Sequence, residues 1–432
     1  MKYRSLLLVA ALLALAACSS KDKKVDEPAK LTDIKNPSVR IQKLWGASVG
    51  GGGKKLRLGL GLAASETHLF AAGRDGDVAA FDLKTGKQIW RTKTDLALAG
   101  GTGVGADLVV VGSADGQVVA LAAANGAQRW RAEVKGEILS SPAVAEHEVI
   151  VRTVDGKMRA LNIVDGKELW AAEQQIPRLT LRGAAAPVVA RDLALSGFDN
   201  GRVMAVSLGD GSTVWDSPVS PSHGRTELER LNDIDAAVKV IGEEVFVAGF
   251  QGRAAMLALD SGQIWWTHDV SSYRGVDVDD EQMYVSTSDG ELVALKRRTG
   301  AEMWRNDSLK HRSLSAPAVV GDFVTVADLD GYVHWFDRVT GTIAGRAKAG
   351  GDRVTNAPLA AGGNLYVIGD NGEVVALHGV PIAPHVAKTA PVAPVAAPAE
   401  APAEAPTQAP AEPAAPAEPA TPAEPAAPAP GG

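Results

Sequence analysis

A sixteen-residue pattern recurs along the chain about every 40 residues. It reads DGDVAAFDLKTGKQIW from Asp75, DGQVVALAAANGAQRW from Asp115 and DGKMRALNIVDGKELW from Asp155. Its first glycine occurs eight times, at Gly76, Gly116, Gly156, Gly201, Gly252, Gly290, Gly331 and Gly372. The intervals are 40, 40, 45, 51, 38, 41 and 41 residues. A period near 40 with two turn glycines per unit indicates a repeat architecture, in which neighbouring units bury each other's apolar faces.

Each repeat predicts a small antiparallel sheet. Segments such as QVVAL from Gln117 and ELVAL from Glu291 are short, apolar on both faces and flanked by turn residues. Asp-Gly supplies the positive φ that a tight hairpin needs, and a second glycine ten residues later closes the next turn. Strands that are apolar on both faces fit the blades of a propeller, which pack against a neighbour on each side. We therefore predict an all-β fold, an eight-bladed β-propeller of four-stranded antiparallel blades.

The two ends of the repeat region are complementary. The seventh unit has Gly345 where a tryptophan is expected, and the eighth stops at GEVVALH, before its second glycine. Trp45, in VRIQKLW, has no turn of its own upstream. We predict that residues 39–45 supply the outermost strand of the last blade, because this pairing closes the ring and leaves no incomplete terminal blade. The propeller is then expected to extend over residues 39–380.

Six tryptophans share one register of the repeat. Each stands fourteen residues after a turn glycine, at Trp90, Trp130, Trp170, Trp215, Trp266 and Trp304. Large aromatic side chains at one register predict packing between blades rather than a ligand cage, and each can bury about 150–250 Å².

The N-terminus has the pattern of a secretory signal. A basic start precedes a thirteen-residue apolar run at residues 5–17, too short to span a bilayer. Residues 15–18 (LAAC) resemble the bacterial lipobox, whose cysteine becomes the acylated N-terminus; an ordinary cleaved signal is the alternative reading. We predict a signal peptide over residues 1–17, lipid attachment at Cys18 and a lipidated linker over residues 18–38. Ser19 resembles the residue that directs such lipoproteins to the outer membrane.

The C-terminal stretch, residues 381–432, is dominated by alanine, proline and glutamate. Proline at this density prevents long helices, and too few large apolar residues remain to build a core. We predict a disordered tail that follows the propeller.

The consensus DGxVxALxxxTGxxxW resembles the repeat of pyrroloquinoline-quinone-type propellers. Together with the lipobox-like cysteine, it resembles the BamB family, the lipoproteins of the outer-membrane β-barrel assembly machinery. RLTLRGAAAPVV from Arg178 and HGRTELERLNDIDAAVKV from His223 are similar to characteristic segments of that family, and the resemblance covers residues 18–380. It implies a non-enzymatic scaffold, anchored on the periplasmic face of the outer membrane, that binds BamA within the Bam complex. Unfolded outer-membrane proteins are a further candidate partner.

Departures from the repeat mark the candidate binding site. The longest interval, between Gly201 and Gly252, has its extra, charged residues at 218–236, and the preceding interval contains the segment LTLR at 179–182. The resemblance implies that these two loops engage BamA through Leu179, Leu181, Arg182, Asp233 and Asp235. From the residues alone, the favoured interpretation of the leucines is an ordinary strand of blade four, and that of Asp233 is the cap of a local turn.

The enzymatic alternative is a periplasmic oxidoreductase that binds pyrroloquinoline quinone, because the same repeat occurs in quinoprotein dehydrogenases. A generic propeller lipoprotein with another protein partner is a second alternative. The eight histidines show no metal-ligand spacing such as HExxH, and no nucleophile, base and oxyanion set is visible. We therefore predict no catalytic residues, no metal and no cofactor. The net charge of −7, without a basic excess, argues against nucleic acid as a partner.

Overall fold

The computed structural model describes residues 26–51, 58–181, 183, 185–222 and 224–382. The predicted signal peptide, Cys18, Arg182 and nearly all of the predicted tail lie outside these ranges. The described residues form thirty-two strands in eight four-stranded antiparallel sheets, which confirms the predicted eight-bladed β-propeller. No helix within these ranges has the length and apolarity that a membrane span requires.

The strands follow one another through the blades in chain order. Blade one contains β2 (Ala63–Ala64), β3 (His68–Ala72), β4 (Asp77–Asp82) and β5 (Gln88–Lys93), and blade two contains β6 (Gly103–Gly105), β7 (Leu108–Gly112), β8 (Gln117–Ala122) and β9 (Gln128–Glu133). Blade three contains β10 (Ala143–Val144), β11 (Glu148–Thr153), β12 (Lys157–Asn162) and β13 (Glu168–Glu173). Blade four contains β14 (Val188–Ala190), β15 (Leu193–Gly197), β16 (Arg202–Ser207) and β17 (Thr213–Pro218). Blades five to seven comprise β18 (Lys239–Ile241), β19 (Glu244–Ala248), β20 (Arg253–Ala258), β21 (Ile264–Asp269); β22 (Val276–Val278), β23 (Gln282–Ser286), β24 (Leu292–Lys296), β25 (Glu302–Asn306); β26 (Ala318–Val320), β27 (Phe323–Ala327), β28 (Tyr332–Asp337) and β29 (Ile343–Lys348). Blade eight contains β30 (Leu359–Ala361), β31 (Asn364–Ile368), β32 (Glu373–Pro381) and β1 (Val39–Ser48).

The N-terminal strand closes the ring as predicted, and it is three residues longer than expected. β1 pairs antiparallel with β32, with Trp45 opposite Ala376 and Gly46 opposite Val375. Blade eight is thereby assembled from both ends of the propeller. The carbonyl oxygen of Leu83, in blade one, accepts hydrogen bonds from Trp45 Nε1 at 3.2 Å and Tyr366 Oη at 3.0 Å, which joins the last blade to the first.

The core consists of layers between adjacent blades rather than one central cluster. Phe70, Val78 and Trp90 of blade one, for example, share a buried cluster with Val109 and Val119 of blade two. Strands β3 and β4 are buried along almost their whole length, because each of their faces meets a neighbouring blade. This packing explains why these strands are apolar on both faces.

A tryptophan from the outer strand of one blade docks on the second turn glycine of the next. In seven cases the indole Nε1 donates to a backbone carbonyl of the following blade at 2.6–3.2 Å: Trp45, Trp90, Trp130, Trp170, Trp215, Trp266 and Trp304. A methyl group on the opposing glycine would lie 2.4–2.6 Å from its neighbours, the indole ring among them. These glycines also adopt φ of 66° to 74°. Steric contact and backbone conformation therefore both require glycine, and the predicted packing role of the tryptophans is confirmed.

In the seventh blade, the large residue lies in the third strand and the small residue in the outer strand, the reverse of the arrangement in six of the other blades. In six blades an alanine of the third strand pairs with the docking tryptophan, as Ala80 does with Trp90. In blade seven, Trp335 occupies the third strand and pairs with Gly345 of the outer strand. The Trp335 ring lies against Gly379 of blade eight, and Val39 lies against Gly345. Because blade seven has glycine in place of the docking tryptophan, it leaves space at Gly345. Val39, the first residue of β1, fills this space.

Trp266→Ala should lower the free energy of unfolding by about 3–5 kcal/mol, because it empties a packed site between blades and removes a hydrogen bond to Arg297 O. Trp265→Ala is the matched control, since the adjacent indole is 51 % exposed. Chemical denaturation of the two variants measures the difference. Equal stability of the two variants would show that the docked tryptophan does not hold the blades together.

Candidate partner-binding site

The loops of the propeller emerge on two faces. In an antiparallel blade, the turn between the second and third strands lies on the same face as the connection to the next blade. We call this the Asp-Gly face, because Asp-Gly turns such as Asp75-Gly76 lie there. The two predicted binding loops are the connections β13–β14 and β17–β18, so both lie on the Asp-Gly face.

The structure brings these two loops together. The backbone N–H of Leu181 donates to Asp233 Oδ2 at 2.5 Å, across 52 residues of sequence. Asp233 is fully buried, whereas Leu179 and Leu181 are each 41 % exposed. Leu179 and Leu181 lie in a connection rather than in a strand, so the alternative interpretation as ordinary strand residues is wrong. Asp233 fastens one loop to the other instead of capping a local turn.

Three carboxylates form the base of the site. Asp199, in the β15–β16 turn, joins Asp233 and Asp235, and their carboxylate oxygens lie within 4.8 Å of one another. Gly183 covers Asp235 so closely that a Cβ at this position would lie 2.2 Å from Asp235 Oδ1. The residue after Arg182 must therefore be glycine for the two loops to meet.

A buried arginine partly neutralises this cluster. Arg152 of β11 is completely buried, with Nη2 at 3.0 Å from Asp199 Oδ2 and its guanidinium 4.5 Å from the centre of the Phe198 ring. The ion pair spans blades three and four, so it also ties the two blades that contribute to the site. Three carboxylates at this spacing resemble a set of metal ligands, but the guanidinium of Arg152 already compensates part of their negative charge.

Burial shifts the protonation of two of the carboxyl groups. It raises the pKa of Asp233 to about 6, with the Leu181 N–H opposing the rise and the Asp199 carboxylate adding to it. Burial also raises the pKa of Asp235 to about 8, with further contributions from Asp233 and Asp199 and opposition from Arg152. At neutral pH Asp235 is therefore largely protonated, and its carboxyl group can donate a hydrogen bond as well as accept one.

The sequence pattern did not predict two residues of the site, Arg152 and Asp199. Arg152 stands four residues before a turn glycine, where the other seven units have small or apolar residues: Ala72, Gly112, Gly197, Ala248, Ser286, Ala327 and Ile368. Asp199 precedes Asn200, so the fourth unit has its aspartate one position earlier than units such as the first. A charged residue at a small-residue register was the available signal for Arg152.

The site borders a cavity on the Asp-Gly face. This cavity, of about 900 Å³, is lined by Leu181, Gly183 and Asp235 from the site. Phe250 and Tyr273, whose rings meet edge to face at 6.0 Å, also contribute to its wall. Of the two exposed leucines, Leu181 thus lies at the edge of a concave surface that combines apolar, acidic and basic groups.

The fold and its repeat define the class: a closed eight-bladed β-propeller of the pyrroloquinoline-quinone-like repeat type. A family model described as "Outer membrane protein assembly factor BamB" matches residues 74–306 and 288–380. The BamB of Pseudomonas aeruginosa is 49 % identical over 369 residues, covering 85 % of this chain and 97 % of the relative. The chain belongs to the BamB family.

Other comparisons agree with this assignment. The BamB of Escherichia coli is 33 % identical over 391 residues, covering 87 % of this chain and 100 % of the relative. The crystal structure of BamB from Moraxella catarrhalis superposes with a TM-score of 0.73 at 27 % identity, covering 78 % of this chain and all of that one. A quinohemoprotein alcohol dehydrogenase from Comamonas testosteroni gives a TM-score of 0.62 at 12 % identity, with 78 % and 76 % coverage, which shows a common fold alone.

Asp235→Asn should change the pH dependence of stability. The pKa of about 8 in the folded protein exceeds the usual carboxyl value near 4, so the folded state binds more protons between these pH values. Stability of the parent should therefore fall as pH rises through this window, whereas the asparagine variant loses less. We expect the variant to melt several degrees higher than the parent at pH 8.5 and at nearly the same temperature at pH 4.

Thermal unfolding across this pH range provides the measurement. Asp269→Asn is the control, because the Asp269 side chain is 89 % exposed. If the melting temperatures of the Asp235→Asn variant and the parent agree at every pH, the carboxyl group of Asp235 in the parent has an ordinary pKa. The account of the carboxylate cluster would then be wrong.

Proposed function

We propose that this protein is a non-enzymatic scaffold that assists the assembly of outer-membrane β-barrel proteins, and that it binds a periplasmic domain of BamA through the two joined loops. Membership of the BamB family supports the role in outer-membrane protein assembly. The observation that carries the binding site is the bond between Leu181 N and Asp233 Oδ2. It makes one surface from the two segments whose resemblance to family sequences implied partner contact.

The geometry suits recognition without large rearrangement. The connection β17–β18 is held by buried contacts, because Asp233 is fully buried and Asn232 Nδ2 donates to the carbonyl of Ser220. Leu179 and Leu181 remain exposed above this fixed base, as anchors that a partner can cover. Little conformational entropy is then lost on binding, which favours affinity from a small surface. We include Arg182 in this proposal, as a further residue that contacts BamA.

The proposed location is the periplasmic face of the outer membrane. We assign residues 1–17 to a cleaved signal, Cys18 to lipid attachment and residues 18–38 to the segment that joins the lipid to the propeller of residues 39–380. Acyl chains contribute about 0.8 kcal/mol per buried CH₂, so a multiply acylated cysteine gives stable anchoring.

A double substitution tests the binding surface. Leu179→Asp with Leu181→Asp should reduce co-purification of BamA from detergent-solubilised membranes at least tenfold, because it places two charges where apolar contact is needed. The melting temperature should stay close to that of the parent, since both side chains are exposed.

Leu169→Asp is the matched control, because this leucine is 52 % exposed on the outer strand of blade three, away from the two loops. It should leave BamA recovery unchanged. Full recovery of BamA by the folded double variant would remove these loops from the partner surface. Loss of BamA by both variants would show that the effect is not specific to the two loops, which would also contradict the proposed surface.

The oxidoreductase alternative shares only the fold of the dehydrogenases. In this chain the buried His334 bonds to Asp328 and Arg346, so its ring nitrogens are used within blade seven. Calorimetric titration with pyrroloquinoline quinone and Ca²⁺ should give no saturable heat. Stoichiometric binding accompanied by dye reduction would favour the oxidoreductase and contradict the scaffold proposal.

A further inference from the structure

The segment before β1 follows a defined path across blades six and seven. Ala29 N donates to Lys310 O at 2.9 Å, in the connection between these blades on the Asp-Gly face. Ser38 N donates to Ala344 O at 2.9 Å, near the start of β29 and so close to the opposite face. Residues 29–38, which we call the clamp segment, therefore cross the outer edge of blade seven from one face to the other.

Two arginines hold the clamp segment by its backbone. Arg312 Nη1 donates to Ala29 O at 2.9 Å, and Arg346 Nη1 donates to Thr32 O at 3.1 Å. Between these points, the side chain of Leu31 packs against a buried cluster that includes Leu309. The segment thus combines charge-assisted hydrogen bonds with an apolar anchor, although it contains no regular secondary structure before residue 39.

A buried polar network in blade seven positions these arginines. Asp328 and His334 are both fully buried, and His334 Nε2 lies 2.9 Å from Asp328 Oδ2. Asp328 also accepts from Arg312 Nε at 2.8 Å, and Arg346 Nε donates to His334 Nδ1 at 3.1 Å. Because His334 Nδ1 accepts a hydrogen bond, its Nε2 carries the proton and donates to Asp328. In each arginine, Nε bonds within the network while Nη1 donates to the backbone of the clamp segment.

Docking of the clamp segment shortens the free tether. Without it, the 21 residues from Cys18 to Val39 could extend over about 70 Å, enough to let either face of the ring approach the membrane. With Ala29 fixed, 11 residues remain, which reach at most about 40 Å. The tether then starts from the Asp-Gly face, which also bears Leu179, Leu181 and the carboxylate cluster.

We propose that the clamp segment orients the ring, so that the Asp-Gly face with its partner-binding loops is turned toward the membrane surface. The inference rests on the proposed lipid attachment at Cys18, but not on the identity of the partner. Arg312, Arg346 and their buried network act as positioning residues for the tether. The rim of blades six and seven lies nearest the bilayer.

The experiment uses the full-length lipidated protein in phosphatidylcholine vesicles that contain a headgroup-attached quencher. Since Cys18 is acylated in the mature protein, an introduced cysteine can be labelled selectively with a fluorophore. Asp289→Cys places the label in the β23–β24 turn on the Asp-Gly face, and Arg298→Cys places it in the β24–β25 turn at the other end of the same strand. We expect at least threefold stronger quenching at position 289 than at position 298.

Release of the clamp segment provides the second arm. Leu31→Asp combined with Arg346→Ala should abolish the difference between the two labels and accelerate hydrogen exchange at the amides of Ala29 and Ser38 at least a hundredfold. Lys30→Ala is the control, because its side chain is exposed, and it should preserve both readouts. Exchange of strands β27 and β28 is measured in the same samples, because continued protection of these strands excludes a general loss of folding of blade seven in the double variant.

The outcomes separate the orientation from the proposals on which it depends. Equal quenching of the two labels on vesicle-bound parent protein overturns the orientation, as does rapid exchange of Ala29 and Ser38 in the parent. Failure of the lipidated preparation to attach to vesicles overturns the anchor and the orientation together. Recovery of BamA by the Leu179 and Leu181 double variant would contradict the partner surface, while the quenching difference would still support the orientation.

Discussion

The docking of a tryptophan on a turn glycine of the next blade is the contact on which the rest of the structure depends. Each indole fills the space that a side chain on the glycine would occupy, and its Nε1 satisfies a carbonyl of the neighbouring blade. Because the same contact recurs at seven of the eight junctions, successive blades pack on each other in the same way. A repeated packing arrangement turns a chain of similar sheets into a ring, provided that the ends meet. β1 meets this condition by pairing with β32.

A rigid ring leaves its connections free to differ, and the differences are concentrated. The connections β13–β14 and β17–β18 meet at the Asp199, Asp233 and Asp235 cluster, which is tied to blade three by Arg152. Buried charged groups stabilise a fold only when their partners are well placed, so a cluster of three carboxylates with one arginine costs stability. Under the proposed function, this cost is accepted because the cluster holds a fixed platform for a protein partner. A second departure from the repeat lies at blades six and seven, where two arginines bind the backbone of the clamp segment.

The sequence predicted the features that repeat and missed those that occur once. The turn glycines, the docking tryptophans and the closing strand followed from period and register, because local turn chemistry and apolar patterning are repeated in every unit. The contact of Arg152 with Asp199 joins residues 47 apart in different blades, and no periodicity encodes it. The clamp segment is held largely through its backbone carbonyls, so its side chains gave little sign of docking. Leu179 and Leu181 were identified through family resemblance, while their position in a loop needed the structure.

The central claim is that the two ends of the propeller form one blade and thereby seal the ring. Native-state hydrogen exchange of the intact protein tests it most directly, since the amides of β1 and of an interior strand such as β16 can be compared in one experiment. The account predicts that paired amides in both strands exchange only through global unfolding, with the same free energy of opening. Rapid exchange throughout β1 while β16 stays protected would contradict it, because the N-terminal strand would then be a frayed edge rather than the closure.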